Sequence, residues 1–222
     1  MGKRVLVFGG GSDIGSAIVN KFAAEGHEAF WTYHSTKRDQ PGKAISCDLT
    51  APDQLEIDGV FRKAEGELDL VVTAAFPFIQ SSSLDFKRYL EAESFLRGHV
   101  YIMIKSAERL VRDGRIINML GQSVERGLPG GAFYAASFAF LHNFGNSLNA
   151  KEGKEGRLSV CDLLLGPVET REWMGLSPEV IGRYRSRVAK FITVGQVADT
   201  VMFLSQAPVM PSTFKLDAFY GY

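Results

Sequence analysis

The sequence predicts an α/β fold, a single doubly wound domain whose mainly parallel sheet of about seven strands has helices on both faces. Strand-like and helix-like segments alternate along all 222 residues, as they do where helical crossovers join parallel strands. Residues 5–8 form an uninterrupted apolar run, which suits a strand buried on both faces. Glycines and then an amphipathic pattern follow directly, which indicates a tight turn leading into a helix.

The remaining elements follow from apolar runs and from the residues at their boundaries. Thr50 and Pro52 predict a helix start, because threonine favours the N-cap and proline the first turn. Gly114 ends a long predicted helix, and Thr193 and Gln196 have the spacing of a capping box. Strands are predicted at residues 28–33, 43–47, 68–73, 115–119, 158–165 and 213–217, and helices at residues 89–112, at 134–150 and up to 204.

Composition and charge restrict the class of protein. Hydrophobic residues make up 45% of the chain, and 25 basic residues balance 25 acidic ones. The net charge therefore does not favour binding to nucleic acid or to an anionic membrane surface. No apolar run approaches the length of about 18 residues that a membrane span needs. A strand beginning near residue 4 leaves no room for a signal peptide, and Cys47 and Cys161 are far apart. We therefore expect a cytoplasmic protein with unpaired thiols, and we predict no metal site.

The turn at residues 9–15 is the first candidate functional feature. A strand, a glycine turn and a helix in this order direct free N–H groups and the positive end of the helix dipole at a phosphate. We therefore predict a dinucleotide-binding turn, with an ordinary structural turn as the alternative.

Several motifs, in order along almost the whole chain, resemble those of the short-chain dehydrogenase/reductase family. Gly9-x-x-x-Asp13-x-Gly15 resembles its Gly-x-x-x-Gly-x-Gly turn, with aspartate for the middle glycine. Asp48-Leu49 is similar to its adenine-contacting pair, Tyr134 to the start of its Tyr-x-x-x-Lys helix, and residues 166–170 to its Pro-Gly-x-Val-x-Thr stretch. The resemblance implies a Rossmann-type domain over residues 1–222 that reduces a carbonyl or oxidises an alcohol with a nicotinamide cofactor.

The family's catalytic tetrad is incomplete in this sequence. Phe138 stands where the resemblance places the lysine, Gly121 stands where it places the serine, and no asparagine occurs in residues 93–100. A free phenol has a pKa near ~10, which a neighbouring lysine lowers and a phenylalanine does not. Tyr134 is therefore the one catalytic residue in its expected place. Ser123 lies two residues beyond the serine position; it is either a substitute hydroxyl or a solvated loop serine.

The resemblance and the loop chemistry together give a set of cofactor-binding residues. Residues 32–38 contain no acid but hold three basic side chains, and basic residues after the second strand accept a 2′-phosphate. NADP(H) is therefore predicted in preference to NAD(H), although an ordinary solvated loop would look the same. The predicted residues are Gly9, Gly11, Ser12, Asp13, Ile14, Gly15, His34, Lys37, Arg38, Asp48, Leu49, Ala74, Ala75, Tyr134, Pro167, Val168 and Thr170. Phe76 replaces a glycine that lets backbone approach the cofactor, so it either crowds the ribose or packs beneath it.

Different functions remain open at this point. One is an oxidoreductase with an altered active site that acts on a small carbonyl or alcohol; another is a non-catalytic member that binds nucleotide or keeps the fold as a structural subunit. An enzyme of another class on the same scaffold has no specific support.

Residues 171–192 resemble the family's variable substrate lid. A homo-oligomer (dimer or tetramer), or a hetero-oligomer with an active paralogue, is predicted through the helices after Gly98 and Tyr134, because Phe140 and Phe144 cannot both face the sheet.

Overall fold

Seven parallel strands form one sheet with helices on both faces, as the sequence predicts. The computed structural model describes residues 2–35, 37–76, 85–128, 130–186, 188 and 190–217. The strand order is β3-β2-β1-β4-β5-β6-β7, and every neighbouring pair is parallel. The strands are β1 (Arg4–Phe8), β2 (Glu28–Tyr33), β3 (Lys43–Ser46), β4 (Leu68–Thr73), β5 (Leu110–Gly121), β6 (Leu158–Leu165) and β7 (Thr213–Leu216).

The described residues contain eight α-helices and one π-helical turn. The α-helices are α1 (Asp13–Ala24), α2 (Gln54–Ala64), α3 (Phe86–Arg109), α4 (Ser123–Arg126), α5 (Ala132–Leu148), α6 (Arg171–Met174), α7 (Pro178–Arg185) and α8 (Val194–Gln206). The predicted capping box is present, since the Thr193 and Gln196 side chains each bond the other's backbone N–H at the start of α8. Within the described ranges, no helix combines the length and apolarity needed to cross a membrane.

Apolar core clusters lie on both faces of the sheet, because successive side chains of each strand point to opposite faces. Val5 and Val7 pack in a cluster that contains residues of α1 and α8. Leu6 and Phe8 pack on the opposite face with residues of α2 and α3. A further cluster on this opposite face joins α3 and α5 to β5 and β6, and it contains Phe138. The apolar runs of the sequence therefore become strands that are covered on both faces.

The start of α2 differs from the prediction. The backbone N–H and the hydroxyl of Thr50 both donate to Asp48 Oδ1, at 2.8 and 2.6 Å. Asp53 is the N-cap instead, because its carboxylate accepts from Leu55 N at 2.9 Å. The prediction was wrong because Thr50 and Asp53 are both good capping residues, and the carboxylate of Asp48 binds the first of them.

The long helix and the following strand also have different bounds. α3 begins and ends three residues earlier than predicted, and β5 begins at Leu110 rather than at residue 115. Leu110 has extended backbone angles (φ −77°, ψ 142°) and pairs with Leu68 of β4. Residues 110–112 continue the helical pattern in the sequence, but pairing with the neighbouring strand determines their structure.

Candidate functional site

The residues predicted to bind a cofactor lie in loops at one edge of the sheet. The turn with Gly9 follows β1, the basic loop follows β2, Asp48 follows β3, Ala74 follows β4, and residues 167–170 follow β6. These strands are adjacent or separated only by β5, so the loops at their carboxyl ends border one cleft. Ligands of doubly wound folds bind at this edge of the sheet.

The glycine turn is tightly packed between β1, β2 and α1. Gly9 has a φ of +80°, and its carbonyl accepts from Ser12 N at 2.9 Å. Gly11 N donates to Thr32 O at 3.1 Å. A Cβ added to Gly15 would lie 2.1 Å from Gly9 O, so glycine is required there. Ser12 caps α1 by accepting from Gly15 N at 2.9 Å, which fixes the amino end of the helix at the cleft.

Asp13 is the first residue of α1 and the main charged contact of the turn. Its Oδ1 accepts from Arg38 Nη2 at 2.5 Å and from Arg171 Nε at 3.0 Å, and its Oδ2 accepts from Arg171 N at 2.8 Å. Burial of the carboxyl opposes ionisation, but the hydrogen bonds from Arg171 and Arg38 hold its pKa well below the usual range. Asp13 therefore carries a full negative charge at neutral pH and links the basic loop to the start of the predicted lid.

Asp48 lies beside the basic loop on the predicted adenine side of the cleft. Its hydrogen bonds with Thr50, with a contribution from His34 at 3.5 Å, lower the pKa of its carboxyl. Leu49 is buried next to it, whereas Lys37 is exposed to solvent. This end of the cleft thus combines one carboxylate, an apolar side chain and the basic loop.

The loops after β4 and β6 complete the predicted edge. Ala74 N donates to Phe8 O at 2.8 Å, which continues the pairing of β4 with β1. Val168 is buried and forms a bridge with Ile192. The hydroxyl of Thr170 accepts from Trp173 N at 3.2 Å and so caps α6. The structure therefore anchors the start of the predicted lid at this edge of the sheet.

An aromatic cluster occupies the surroundings of Tyr134. The rings of Tyr134 and Phe138 lie 4.3 Å apart between centroids, and Phe76 lies 5.6 Å from the first and 4.8 Å from the second. Phe138 is only 2% exposed. The two phenylalanines that replace a glycine and a lysine of the resembled pattern therefore pack against each other as well as against the tyrosine. Phe76 has packed with Phe138, an arrangement that the sequence left undecided.

Gly121 and Ser123 adjoin this cluster. A Cβ added to Gly121 would lie 3.2 Å from Phe138 Cε2 and 3.5 Å from Ser123 Oγ. The Ser123 hydroxyl therefore lies beside the place where a side chain at position 121 would begin. Its oxygen is buried and has no hydrogen-bond partner within the described part of the chain. A buried hydroxyl without a partner is costly, which makes it a good candidate for binding a ligand.

His99 is a core residue, although a place on a long helix more often indicates a solvated or interface histidine. It is 3% exposed, and its ring packs 5.2 Å from that of Phe76. Its Nδ1 lies 2.9 Å from Phe95 O, and since a carbonyl only accepts, Nδ1 carries the proton of the neutral ring. Burial lowers its pKa to about 4. Arg97 does remain exposed on the same helix.

A buried polar network that the sequence did not reveal connects α5 to the sheet. His142 Nδ1 lies 2.8 Å from Asp162 Oδ2, and Asn118 Nδ2 donates to Asp162 Oδ1 at 2.8 Å. Thr73 Oγ1 then donates to Asn118 Oδ1 at 3.1 Å. Asp162 is 1% exposed, and burial raises its pKa to about 6. His142 is thus a partly exposed residue of α5 that is the partner of a buried acid.

The residues present fit one half of a dinucleotide more closely than the other. The glycine turn, the amino end of α1, Arg38 and Asp48 supply backbone donors, a cation and a ribose or adenine acceptor. At the other end, Tyr134 and the Ser123 hydroxyl supply polar groups, while Phe138 and Phe76 present apolar rings. The arrangement can bind an anionic nucleotide and place a phenol and a hydroxyl beside an apolar wall.

Comparison with known proteins gives consistent matches. A family model described as short chain dehydrogenase matches residues 3–180. The chain is 30% identical over 174 residues to hydroxynaphthalene reductase arp2 of Aspergillus fumigatus. This alignment covers 70% of the present chain and 63% of the reductase. It is 28% identical over 233 aligned positions to carbonyl reductase family member 4 of Danio rerio, covering 97% and 96% of the two chains.

A solved structure has the same fold. The crystal structure of BdcA in complex with NADPH matches with a TM-score of 0.89 at 24% identity, and the match covers 100% of this chain and 95% of that one. At 24% identity, this similarity shows that the two chains share a fold.

Proposed function

The chain belongs to the short chain dehydrogenase family, and from this premise we propose that it is an NADP(H)-dependent oxidoreductase that interconverts a small carbonyl compound and its alcohol. Tyr134 is the proposed general acid and base, and Ser123 supplies the hydroxyl that Gly121 lacks. The proposal requires both side chains to reach the same substrate oxygen at the edge of the sheet.

The observation that carries the proposal is the environment of Ser123. Its hydroxyl oxygen is buried, lacks a hydrogen-bond partner among the described residues, and lies 3.5 Å from the position of a Cβ on Gly121. A substrate oxygen accepting from this hydroxyl would remove the cost of the unpaired group. A serine displaced along the chain thus stands in for the serine of the family pattern.

The proposed chemistry divides between the cofactor and two side chains. When bound, the reduced nicotinamide supplies a hydride to the carbonyl carbon. Tyr134 gives its phenol proton to the oxygen as negative charge develops there, and Ser123 donates a hydrogen bond to the same oxygen. In the reverse direction Tyr134 takes the proton from the alcohol. The rings of Phe76 and Phe138 exclude water beside Tyr134, which strengthens the hydrogen bonds to the reacting oxygen.

The proposed preference for NADP(H) rests on the loop after β2. Lys37 and His34 are exposed there, and the Arg38 guanidinium is held near the amino end of α1 by Asp13. A 2′-phosphate next to the ribose would meet these cations. BdcA, whose crystal structure contains NADPH, supports the same choice.

Steady-state kinetics with NADPH and a panel of small ketones test the proposal. We expect Ser123→Ala to lower kcat/KM by roughly 10²-fold, as loss of a donor to a developing oxyanion does, and Tyr134→Phe to lower it by ~10²–10⁴-fold. Ser147→Ala is the matched control, because the Ser147 hydroxyl bonds a backbone carbonyl on the exposed side of α5. A ketone that is reduced equally fast by wild type, Ser123→Ala and Tyr134→Phe would overturn the proposal.

A second function is favoured by a specific observation, the packing of Phe138 against Tyr134. Phe138 stands in place of the lysine and supplies no cation, so this position cannot lower the pKa of the phenol as a lysine would. A non-catalytic, nucleotide-binding subunit would retain the turn and Asp48 without needing that activation. Saturable NADPH binding with no turnover of any ketone would favour this alternative.

We further propose that the protein is cytoplasmic and forms a homo-oligomer or pairs with a paralogue. Phe140 is 50% exposed and stacks on Phe144 along α5, and Ile104 of α3 is 41% exposed. Apolar surface of this kind usually marks an interface, and a two-fold contact would place the same face of each copy together.

A further inference from the structure

Arg171 reaches the amino end of α1 from the far end of the sequence. It follows Thr170 at the start of α6, and it lies 158 positions after Asp13 in the sequence. Its backbone N–H donates to one carboxylate oxygen at 2.8 Å, while its Nε and Nη2 lie 3.0 and 2.9 Å from the other. Arg171, whose side chain is 80% exposed, is therefore held at the glycine turn by one backbone and two guanidinium contacts with one aspartate.

Arg38 contacts the same oxygen of Asp13 as Arg171 does. Its Nη2 donates to Asp13 Oδ1 at 2.5 Å, so the Arg38 and Arg171 guanidinium groups converge on one oxygen atom. One carboxylate charge balances only one of these two cations. Glu169 also lines the surrounding cavity, but its side chain is exposed, so water screens its charge more than that of the half-buried Asp13. The arginine pair therefore keeps an excess of positive charge next to a turn that fits a nucleotide.

We propose that Arg38 and Arg171 form a phosphate-binding pair whose resident anion is the Asp13 carboxylate. A phosphate group has more acceptor oxygens than a carboxylate and carries at least as much charge, and guanidinium groups bind it through paired hydrogen bonds. A phosphate of the nucleotide then replaces Asp13 between the two arginines. Asp13 acts as an internal competitor, and Arg171 as a residue that determines affinity for the cofactor.

The surroundings leave space for this exchange. A cavity of about 440 Å³ adjoins the pair and is lined by Asp13, Arg38 and Arg171 together with Ser16, Asn20 and Thr170. The Asn20 amide donates to Ser16 O at 2.9 Å, so the α1 side of the cavity carries polar groups, while Ala17, Met174 and Val194 add apolar surface. The polar groups of the lining suit either a displaced carboxylate or the entering phosphate, because both need hydrogen-bond partners.

The inference rests on the proposed function, since the phosphate is that of the bound nucleotide. Two phosphates of that ligand have the required chemistry, the 2′-phosphate of NADPH and the diphosphate that NADPH and NADH share. A comparison of the two dinucleotides distinguishes them.

The test is a calorimetric titration of NADPH, NADH and inorganic diphosphate into wild type, Asp13→Asn, Arg171→Gln and a control. We expect Asp13→Asn to bind roughly tenfold more tightly, because a like charge is removed beside the phosphate. We expect Arg171→Gln to bind at least about tenfold more weakly, the effect of losing a hydrogen bond between charged groups. Arg157→Gln is the control, since Arg157 pairs with Glu152 and Glu155 just before β6, at the other end of the sheet.

Each outcome decides a different point. An effect of Arg171→Gln on NADPH alone assigns the pair to the 2′-phosphate, and an equal effect on both dinucleotides assigns it to the diphosphate. Nucleotide binding that is weakened by Asp13→Asn, or left unchanged by Arg171→Gln, overturns the inference while the proposed function stands. A protein that binds neither dinucleotide in any variant overturns the proposed function. If neither dinucleotide binds, the titration with inorganic diphosphate tests the inference. Inorganic diphosphate must then bind Asp13→Asn more tightly than it binds wild type. Equal binding to the two proteins, or no binding to either, refutes the inference. Thermal melting of each variant verifies that it is folded.

Discussion

Gly121 and Phe138 pack as a unit. The effect of a side chain at position 121 on the free energy of unfolding should therefore depend on the residue at position 138. In the wild type, the Cβ of Gly121→Ala would lie 3.2 Å from Phe138 Cε2, closer than ordinary van der Waals contact. In Phe138→Leu this ring atom is absent. The nearest remaining atoms would be Ser123 Oγ at 3.5 Å and the Cδ2 equivalent at 3.6 Å, both at ordinary van der Waals distances.

The expected change in the free energy of unfolding is the sum of two opposing contributions. Overpacking of a core by one carbon costs about 1–3 kcal/mol, whereas replacing glycine by alanine where the backbone permits it stabilises by about 0.4–1 kcal/mol. Gly121 is not among the glycines with positive φ in the described chain, so the second term applies. Gly121→Ala should therefore destabilise the wild type by about 1 kcal/mol and stabilise Phe138→Leu by about 0.5 kcal/mol.

Urea denaturation of the four proteins of this double-mutant cycle, monitored by circular dichroism, measures the coupling. Gly59→Ala is the matched control, because a Cβ there would meet only Arg62 Nη2, at 3.6 Å. It should stabilise both backgrounds equally, by up to about 1 kcal/mol. An effect of Gly121→Ala with the same sign and size in both backgrounds would refute the claim that the two positions form one packed unit.

Three further predictions concern the cofactor, pH and assembly. Lys37→Ala with Arg38→Ala should weaken NADPH binding at least about tenfold and NADH binding less, and unchanged NADPH affinity in a fluorescence titration would reject their role. The pKa of His99 is about 4 in the folded protein, against 6.5 for a free histidine. Between these pH values the unfolded chain gains a proton that the folded chain does not, so the free energy of unfolding should fall by up to about 3 kcal/mol as pH falls from 6.5 to 4. Denaturation midpoints of wild type and His99→Leu over this range test this, because the variant should lose that part of the slope. Light scattering should find an oligomer that Phe140→Asp weakens, and a wild-type monomer at micromolar concentration would contradict the proposed interface.

The local patterns of the sequence predicted the sheet and the place of the cleft. The apolar run before Gly9 and the periodic helix after it are short-range signals, and both determine the structure observed at β1 and α1. Tyr134 and Asp48 were predicted as site residues from their position in a family pattern, and their roles stay predictions. These features depend on residues that are close in sequence.

The contacts that give the site its character connect distant residues. Nothing near Asp13 in the sequence indicates that Arg171 will bind it. The packing of Phe76 on Phe138 depends on how β4 and α5 lie together, and the same is true of the burial of His99. Side-chain packing across elements determines these contacts, so periodicity along one element does not predict them.

The proposed function depends first on whether the cleft binds NADP(H). Titration of the wild-type protein with NADPH and with NADH, monitored by nicotinamide fluorescence, tests this most directly. The proposal predicts saturable binding of both, with NADPH bound more tightly. Failure of NADPH to bind at all, or tighter binding of NADH, would contradict it.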